Sequence, residues 1–72
     1  MTTTGTEWIA AFAEHLGVDP PDADTIEVLL DLAGVAAHAS ERLAAPIACW
    51  LVGRTGTDAA EALVAARSLS AP

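Results

Sequence analysis

Three times along the chain, a hydroxyl or acidic side chain is followed three residues later by glutamate. This is the spacing of the helix capping box, in which the first side chain accepts a hydrogen bond from a backbone N–H of the first helical turn. The pairs are Thr4 with Glu7, Asp24 with Glu27 and Asp58 with Glu61, and Thr6 is a rival to Thr4. Alanine supplies 17 of the 72 residues and β-branched residues are few and scattered, so the segments between these signals favour helix.

The caps and the apolar spacing predict four helices, over about 6–16, 24–39, 46–53 and 58–69. Gly17 suits the left-handed position that ends a helix, and Pro46 suits the first position of the third helix, where a missing N–H costs nothing. No strand pattern competes. The expected fold is all-α, a compact array of four short helices in a single domain spanning 1–72, with the second helix at its centre.

The third predicted helix carries no polar side chain from 47 to 52. A helix that is apolar on every side is buried in its own domain or covered by a partner. Its Cys49 cannot form an internal disulfide, because it is the only cysteine of the sequence. Because its neighbours are apolar, it is expected to act as a small packing residue. A folded chain of this mass exposes about 4,200 Å² of surface, and so short a chain gains stability from association. We therefore expect a homodimer or docking onto a larger protein.

The charge of the chain excludes some classes of partner. The formal net charge is −7, with no lysine and only three arginines, so the electrostatic field repels nucleic acid and anionic lipid. The longest uncharged stretch, 43–53, is about half of the roughly 20 residues that a membrane-spanning helix needs. The first eight residues lack the basic start of a secretory signal. We expect no nucleic acid, no membrane and a cytoplasmic location.

The chain offers no catalytic or metal-binding set. His15 and His38 fall on different predicted helices and Cys49 stands alone, whereas a metal site needs three or four converging ligands. Ser40 points away from His38 on a helix, so the two do not form a nucleophile and base. The expectation is a protein that is not an enzyme and that carries no cofactor and no metal.

A polar strip on the second helix is the first candidate binding site. Asp31 and His38 lie two turns apart, and Gly34 between them has no side chain, so together they could flank a notch for a ligand or a partner's side chain. The alternative is an ordinary solvated strip, with His38 placed near the helix C-terminus, where a proton is favoured.

The entry to the third helix is the second candidate. The backbone N–H groups of Ile47 and Ala48 after Pro46, together with the Arg42 guanidinium, could hold a carboxylate or phosphate. Alternatively, Arg42 closes the second helix or pairs with an acidic neighbour such as Glu41. Trp50 would report by its fluorescence whether the third helix is covered.

Several short blocks resemble one known family. The blocks are Leu29-Leu30-Asp31-Leu32-Ala33, Ala37-His38, Glu41-Arg42, Ala44-Ala45-Pro46 and Leu51-Val52-Gly53, preceded by Glu7-Trp8-Ile9 and Leu16-Gly17. The family is a small actinobacterial domain of unknown function, found alone or fused behind the guanylyltransferase of molybdenum cofactor biosynthesis (MobA-like). The resemblance implies an accessory role near the synthesis of molybdopterin guanine dinucleotide and assigns no reaction. The chain lacks the Gly-rich nucleotide loop of that enzyme.

Three functions are expected from these observations. The leading one is a non-catalytic helical module that docks on another protein, with the guanylyltransferase as the partner, through the third helix and the corner from His38 to Pro46. The second is a domain that binds a small anionic ligand, a nucleotide or pterin phosphate, at Arg42. The third is a purely structural homodimer that uses the same apolar surface.

Overall fold

A computed structural model describes residues 3–70 of the chain and contains four helices joined by short connections. They are α1 (Gly5–Leu16), α2 (Ala23–Ala39), α3 (Ala44–Thr55) and α4 (Ala59–Ser70). No strand occurs between residues 3 and 70. The predicted all-α class and the compact four-helix array are confirmed.

The ends of α1 follow the predicted signals. The Thr4 hydroxyl accepts a hydrogen bond from the Glu7 N–H, and the Thr4 N–H donates to the Glu7 carboxylate, both at 3.1 Å. This is a complete capping box. Gly17 ends the helix in the left-handed conformation at φ 80°, which a residue without a Cβ adopts at no steric cost.

The start of α2 differs from the prediction. Asp22, not Asp24, caps the helix, because its carboxylate accepts a hydrogen bond of 2.7 Å from the Thr25 N–H. Asp24 lies in the first turn, where a negative charge is still favoured by the helix dipole. At α4, the Asp58 carboxylate accepts from the Glu61 N–H at 3.2 Å, which is the forward half of the predicted box.

Helix α3 is longer than predicted by two residues at each end. It begins at Ala44, so Pro46 is its third residue and not its first. Proline is tolerated at the third position as well as at the first. The N–H groups of the first three helical residues have no carbonyl partner within the helix, so the missing N–H of proline costs no hydrogen bond at either position. Gly53 lies inside the helix, and Gly56 takes the left-handed position after its end, at φ 72°.

The core lies between α2, α3 and α4. Leu32 on α2 is 2% exposed and clusters with Ala62 and Leu63 of α4. Six partly buried side chains pack around these three: Val28, Leu29, Val35, Cys49, Val52 and Ala66. Helix α2 packs along both α3 and α4, as expected of the central helix, and within residues 3–70 no comparable packing joins α1 to another helix.

The folded chain leaves much of its surface in solvent. It measures 43 × 26 × 19 Å and exposes 5675 Å². Average scaling gives about 4,200 Å² for a monomer of this mass, so the chain exposes about 1,500 Å² more than the average. Eleven large hydrophobic side chains among the described residues each leave 47% or more of their surface exposed.

Shortening Leu32 to Ala should destabilise the fold by about 2–5 kcal/mol, because it opens a cavity at the most buried position. The matched control is Leu30→Ala on the same helix, where the side chain is 68% exposed and the expected change is within about 0.5 kcal/mol. Urea unfolding followed by circular dichroism measures both. Equal losses in the two variants would contradict the assigned core.

Two helix caps should make stability depend on pH. The side chain and then the N–H of Thr4 lower the pKa of Glu7 below its ordinary 4.5. The N–H and then the side chain of Thr25 lower the pKa of Asp22 below its ordinary 3.8. A lowered folded-state pKa stabilises the fold above the ordinary value, and this contribution is lost as pH falls below it.

We therefore expect the helices to weaken as pH falls below about 4.5 toward the lowered values. The paired substitution Glu7→Gln and Asp22→Asn keeps an oxygen acceptor at each cap but removes the titration. It should reduce the loss of helical circular dichroism and of unfolding free energy between pH 6 and pH 3. A variant with the same pH dependence as the original chain would show that these caps do not contribute.

Candidate functional site

The five predicted site residues are all exposed, but they do not form one pocket. Asp31 and His38 lie on α2, Arg42 lies in the turn before α3, and Pro46 and Trp50 lie on α3. Two surface grooves lie beside the C-terminal ends of α2 and α4, and of the five residues only His38 lines one of them.

The His38 ring bonds to its own helix. Its Nδ1 lies 2.7 Å from the Gly34 carbonyl oxygen, and because that oxygen can only accept, Nδ1 carries the proton. The other ring nitrogen, Nε2, is left to meet solvent or a ligand. A Cβ added at Gly34 would meet nothing within 4 Å, so no other helix closes over the predicted notch at this position. This arrangement fits the solvated strip better than a built ligand site.

The predicted anion site at the start of α3 lacks its donors. The Ala44 N–H donates to the Glu41 carbonyl at 2.9 Å, the Ala45 N–H donates to the Arg42 carbonyl at 3.2 Å, and Pro46 has no N–H. Because α3 begins at Ala44, Ile47 and Ala48 lie past its first three residues, where a helical N–H group has a carbonyl partner four residues back. The observed helix start therefore does not offer the free N–H groups that were expected to join Arg42 in holding a phosphate or carboxylate.

A groove of about 420 Å³ brings His38 together with Arg67, a residue that the sequence analysis did not select. A sequence signal for Arg67 was present, because Arg67, like His38, is the basic residue in the last turn of its helix. The negative end of a helix dipole favours a positive charge at such a position, as on the Arg67 guanidinium. The hydroxyls of Ser40 and Ser70, which line the adjoining groove, donate back to carbonyls of their own helices at 2.8 Å. The polar groups of this region therefore serve the helix ends.

Helix α3 shows two different faces. Cys49 and Val52 pack on the core, with the Cys49 Sγ at 4.0 Å from the Leu29 carbonyl oxygen, in keeping with a packing role for this thiol. The opposite face carries four exposed apolar side chains, which we call the α3 outer stripe: Leu43, Ile47, Trp50 and Leu51. Trp50 is 61% exposed. The apolar helix is therefore not buried in its own chain, and covering by a partner is the remaining alternative.

Helix α1 presents a second apolar surface. We call it the α1 stripe: Trp8, Phe12 and Leu16, all exposed and spaced by four residues. The Trp8 and Phe12 rings stack with their centroids 5.0 Å apart and their planes at 27°. Ala13, in contrast, is buried. Stacked rings hold this surface in a defined shape without a second helix over it.

The described part of the chain contains neither a cluster of metal ligands nor a helix that could span a membrane. Between residues 3 and 70, no three His, Cys, Asp or Glu side chains lie close enough together to hold a metal ion. Over the same residues, every helix is too short or too polar to cross a bilayer.

Comparison with protein families identifies the chain as a member of one of them. A family model described as "Domain of unknown function (DUF6457)" matches residues 2–71, so the chain belongs to this family. The predicted membership of a small uncharacterised domain family is therefore confirmed. No curated protein and no solved structure matches the chain.

Replacing Gly34 by Ala tests whether the gap on α2 serves a ligand. The added methyl meets open space, and glycine inside a helix costs about 0.5–1 kcal/mol relative to alanine, so the substitution should raise stability by about that amount. Chemical denaturation measures the change, and binding of the proposed partner should be unaffected. A loss of binding in this more stable variant would show that the gap at Gly34 is part of a binding site.

Proposed function

We propose that this domain is a non-catalytic interaction module that associates with other protein surfaces through the α1 stripe and the α3 outer stripe. The observation that carries the proposal is the exposure of these seven large apolar side chains on a chain that already exposes about 1,500 Å² more than an average monomer of its mass. Single exposed apolar residues are ordinary, but rows of them along a helix face are typical of interaction surfaces.

The chemistry of the stripes supports recognition by a protein. Each stripe contains tryptophan, and tryptophan is enriched among the residues that dominate binding energy in protein interfaces. The stripe residues are uncharged, and the charges of the chain are mostly negative, which would steer a basic partner toward it. The domain itself would supply a surface and no reacting group.

We propose the guanylyltransferase of molybdenum cofactor biosynthesis as the partner. The support is the resemblance of the blocks around Asp31, His38 and Pro46 to an actinobacterial domain found alone or fused behind that enzyme. A domain that is fused in some proteins and separate in others is expected to contact the same enzyme in both. On this proposal, the domain acts in the cytoplasm as an accessory of molybdopterin guanine dinucleotide synthesis. The anion-binding alternative is not proposed, because the start of α3 lacks its donors.

Sedimentation velocity of the chain mixed with a guanylyltransferase from the same organism tests the proposal. We expect a mixed complex. The double substitution Trp8→Ala and Phe12→Ala should weaken it by at least about tenfold, because tryptophan truncation at an interface centre costs about 2 kcal/mol or more. Both rings are exposed and neither belongs to the core cluster, so the helical circular dichroism should be retained.

The matched control is Val64→Ala on α4, where the apolar side chain is 68% exposed but belongs to neither stripe. This variant should bind within about twofold of the original chain. A chain that sediments independently of the enzyme would contradict the proposed partner. Equal weakening by the control and the double variant would contradict the assignment of the surface.

A further inference from the structure

The α3 outer stripe has the geometry of a helix-pairing surface. Its members lie at positions 43, 47, 50 and 51, within an arc of about 100° of the helix circumference. Arg54, one turn beyond Trp50, lies within the same arc and ends the stripe. The opposite side of α3 is held on α2 through Cys49 and Val52, so the stripe faces away from the core of its own chain.

The distribution of charge indicates what kind of surface this stripe fits. Residues 41–56 hold one carboxylate and two guanidinium groups, whereas the rest of the chain holds nine carboxylates and one guanidinium. The stripe itself is uncharged from Leu43 to Leu51. Copies of an acidic chain repel each other over most of their surface. The α3 segment is therefore the part of the chain where two copies can meet with the fewest carboxylates.

The exposed area of the chain leaves room for such a contact. A standard stable interface buries about 800 Å² on each partner. The chain as a whole exposes about 1,500 Å² above the average for its mass, which is more than one partner's share of such an interface.

We propose that the α3 outer stripe binds the same stripe of a second copy of this chain, with the two helices antiparallel across a twofold axis. The antiparallel arrangement sets Ile47 of each copy opposite Trp50 of the other and opposes the two helix dipoles. A parallel arrangement would instead place the two Arg54 guanidinium groups side by side. This inference rests on the proposed function in one respect, which is that exposed apolar stripes are surfaces of association. It assigns the α3 outer stripe to self-association and leaves the α1 stripe for a different protein.

The mass of the chain in solution tests the pairing. Light scattering should give twice the 7.3 kDa of the chain at high concentration. Leu51→Glu adds a carboxylate to the uncharged stripe of each copy and should shift the chain to monomer, raising the dissociation constant at least tenfold. Leu30→Glu is the matched control, since this leucine is also exposed but lies on α2, and it should leave the dimer intact. Circular dichroism confirms that both variants fold.

Disulfide trapping tests the orientation. In a Cys49→Ala background, Leu43→Cys and Arg54→Cys place thiols at the two ends of the stripe, about 16 Å apart along the helix. A disulfide needs Cα atoms within about 7 Å. The antiparallel pairing predicts crosslinked dimers only when the two variants are mixed, and none for either variant alone. Crosslinking of each variant with itself, and not in the mixture, would show the parallel arrangement and overturn this geometry.

Two outcomes overturn the inference outright. A monomer at millimolar concentration rejects the dimer, and a Leu51→Glu variant that dimerises as well as the Leu30→Glu control rejects the surface. These results are separable from the proposed function. A monomeric chain that still binds the guanylyltransferase would leave the interaction module standing, whereas a dimer that ignores the enzyme would support the pairing and contradict the partner.

Discussion

The burial of Leu32 between α3 and α4 is the contact on which the packing of this chain depends. It is the most buried of the described side chains, and it lies on the one helix that packs along two others. Its buried neighbours are Ala62 and Leu63, so a single large side chain from each of two helices fills the centre. A core of this size orients α3 and α4 on α2, but it leaves α1 without comparable packing among residues 3–70.

The exposed surface follows from that small core. With 53% hydrophobic residues in 72, the chain has more apolar side chains than its interior holds, and the remainder form rows on α1 and α3. Burying such rows against another surface provides hydrophobic stabilisation that the short chain does not obtain internally. The same feature thus bears on stability and on function. Under the proposed function, association would add to the stability of the fold, and the side chains that associate would be those that the core does not use.

Local signals in the sequence predicted the helices well. The Thr4 to Glu7 box and the left-handed Gly17 are properties of a few adjacent residues, and both appear as predicted. The cap of α2 moved from Asp24 to Asp22, since two aspartates separated by one residue can each serve as the cap. The start of α3 moved because proline is tolerated at more than one position of a first turn.

The surface and the candidate site were harder to predict, because they depend on how the helices pack. Periodicity showed that α3 is apolar on all sides, but not which side turns toward α2 or whether the other is covered. The anion site at Arg42 was inferred from a helix start at Pro46, two residues after the observed one. With α3 beginning at Ala44, the N–H groups of Ile47 and Ala48 lie where helical N–H groups already have carbonyl partners. Arg67 lines the same groove as His38 because that groove lies beside the ends of both α2 and α4, and this proximity depends on helix packing and not on the local signal at each helix end.

The central claim is that covering the exposed apolar stripes stabilises this fold, and the concentration dependence of the melting temperature tests it most directly. If the native state is an association of copies, mass action raises the melting temperature as the chain is concentrated. Over a hundredfold range of concentration, we predict a steady rise that disappears when the α3 outer stripe carries an added charge. A melting temperature that stays constant over that range would contradict the account.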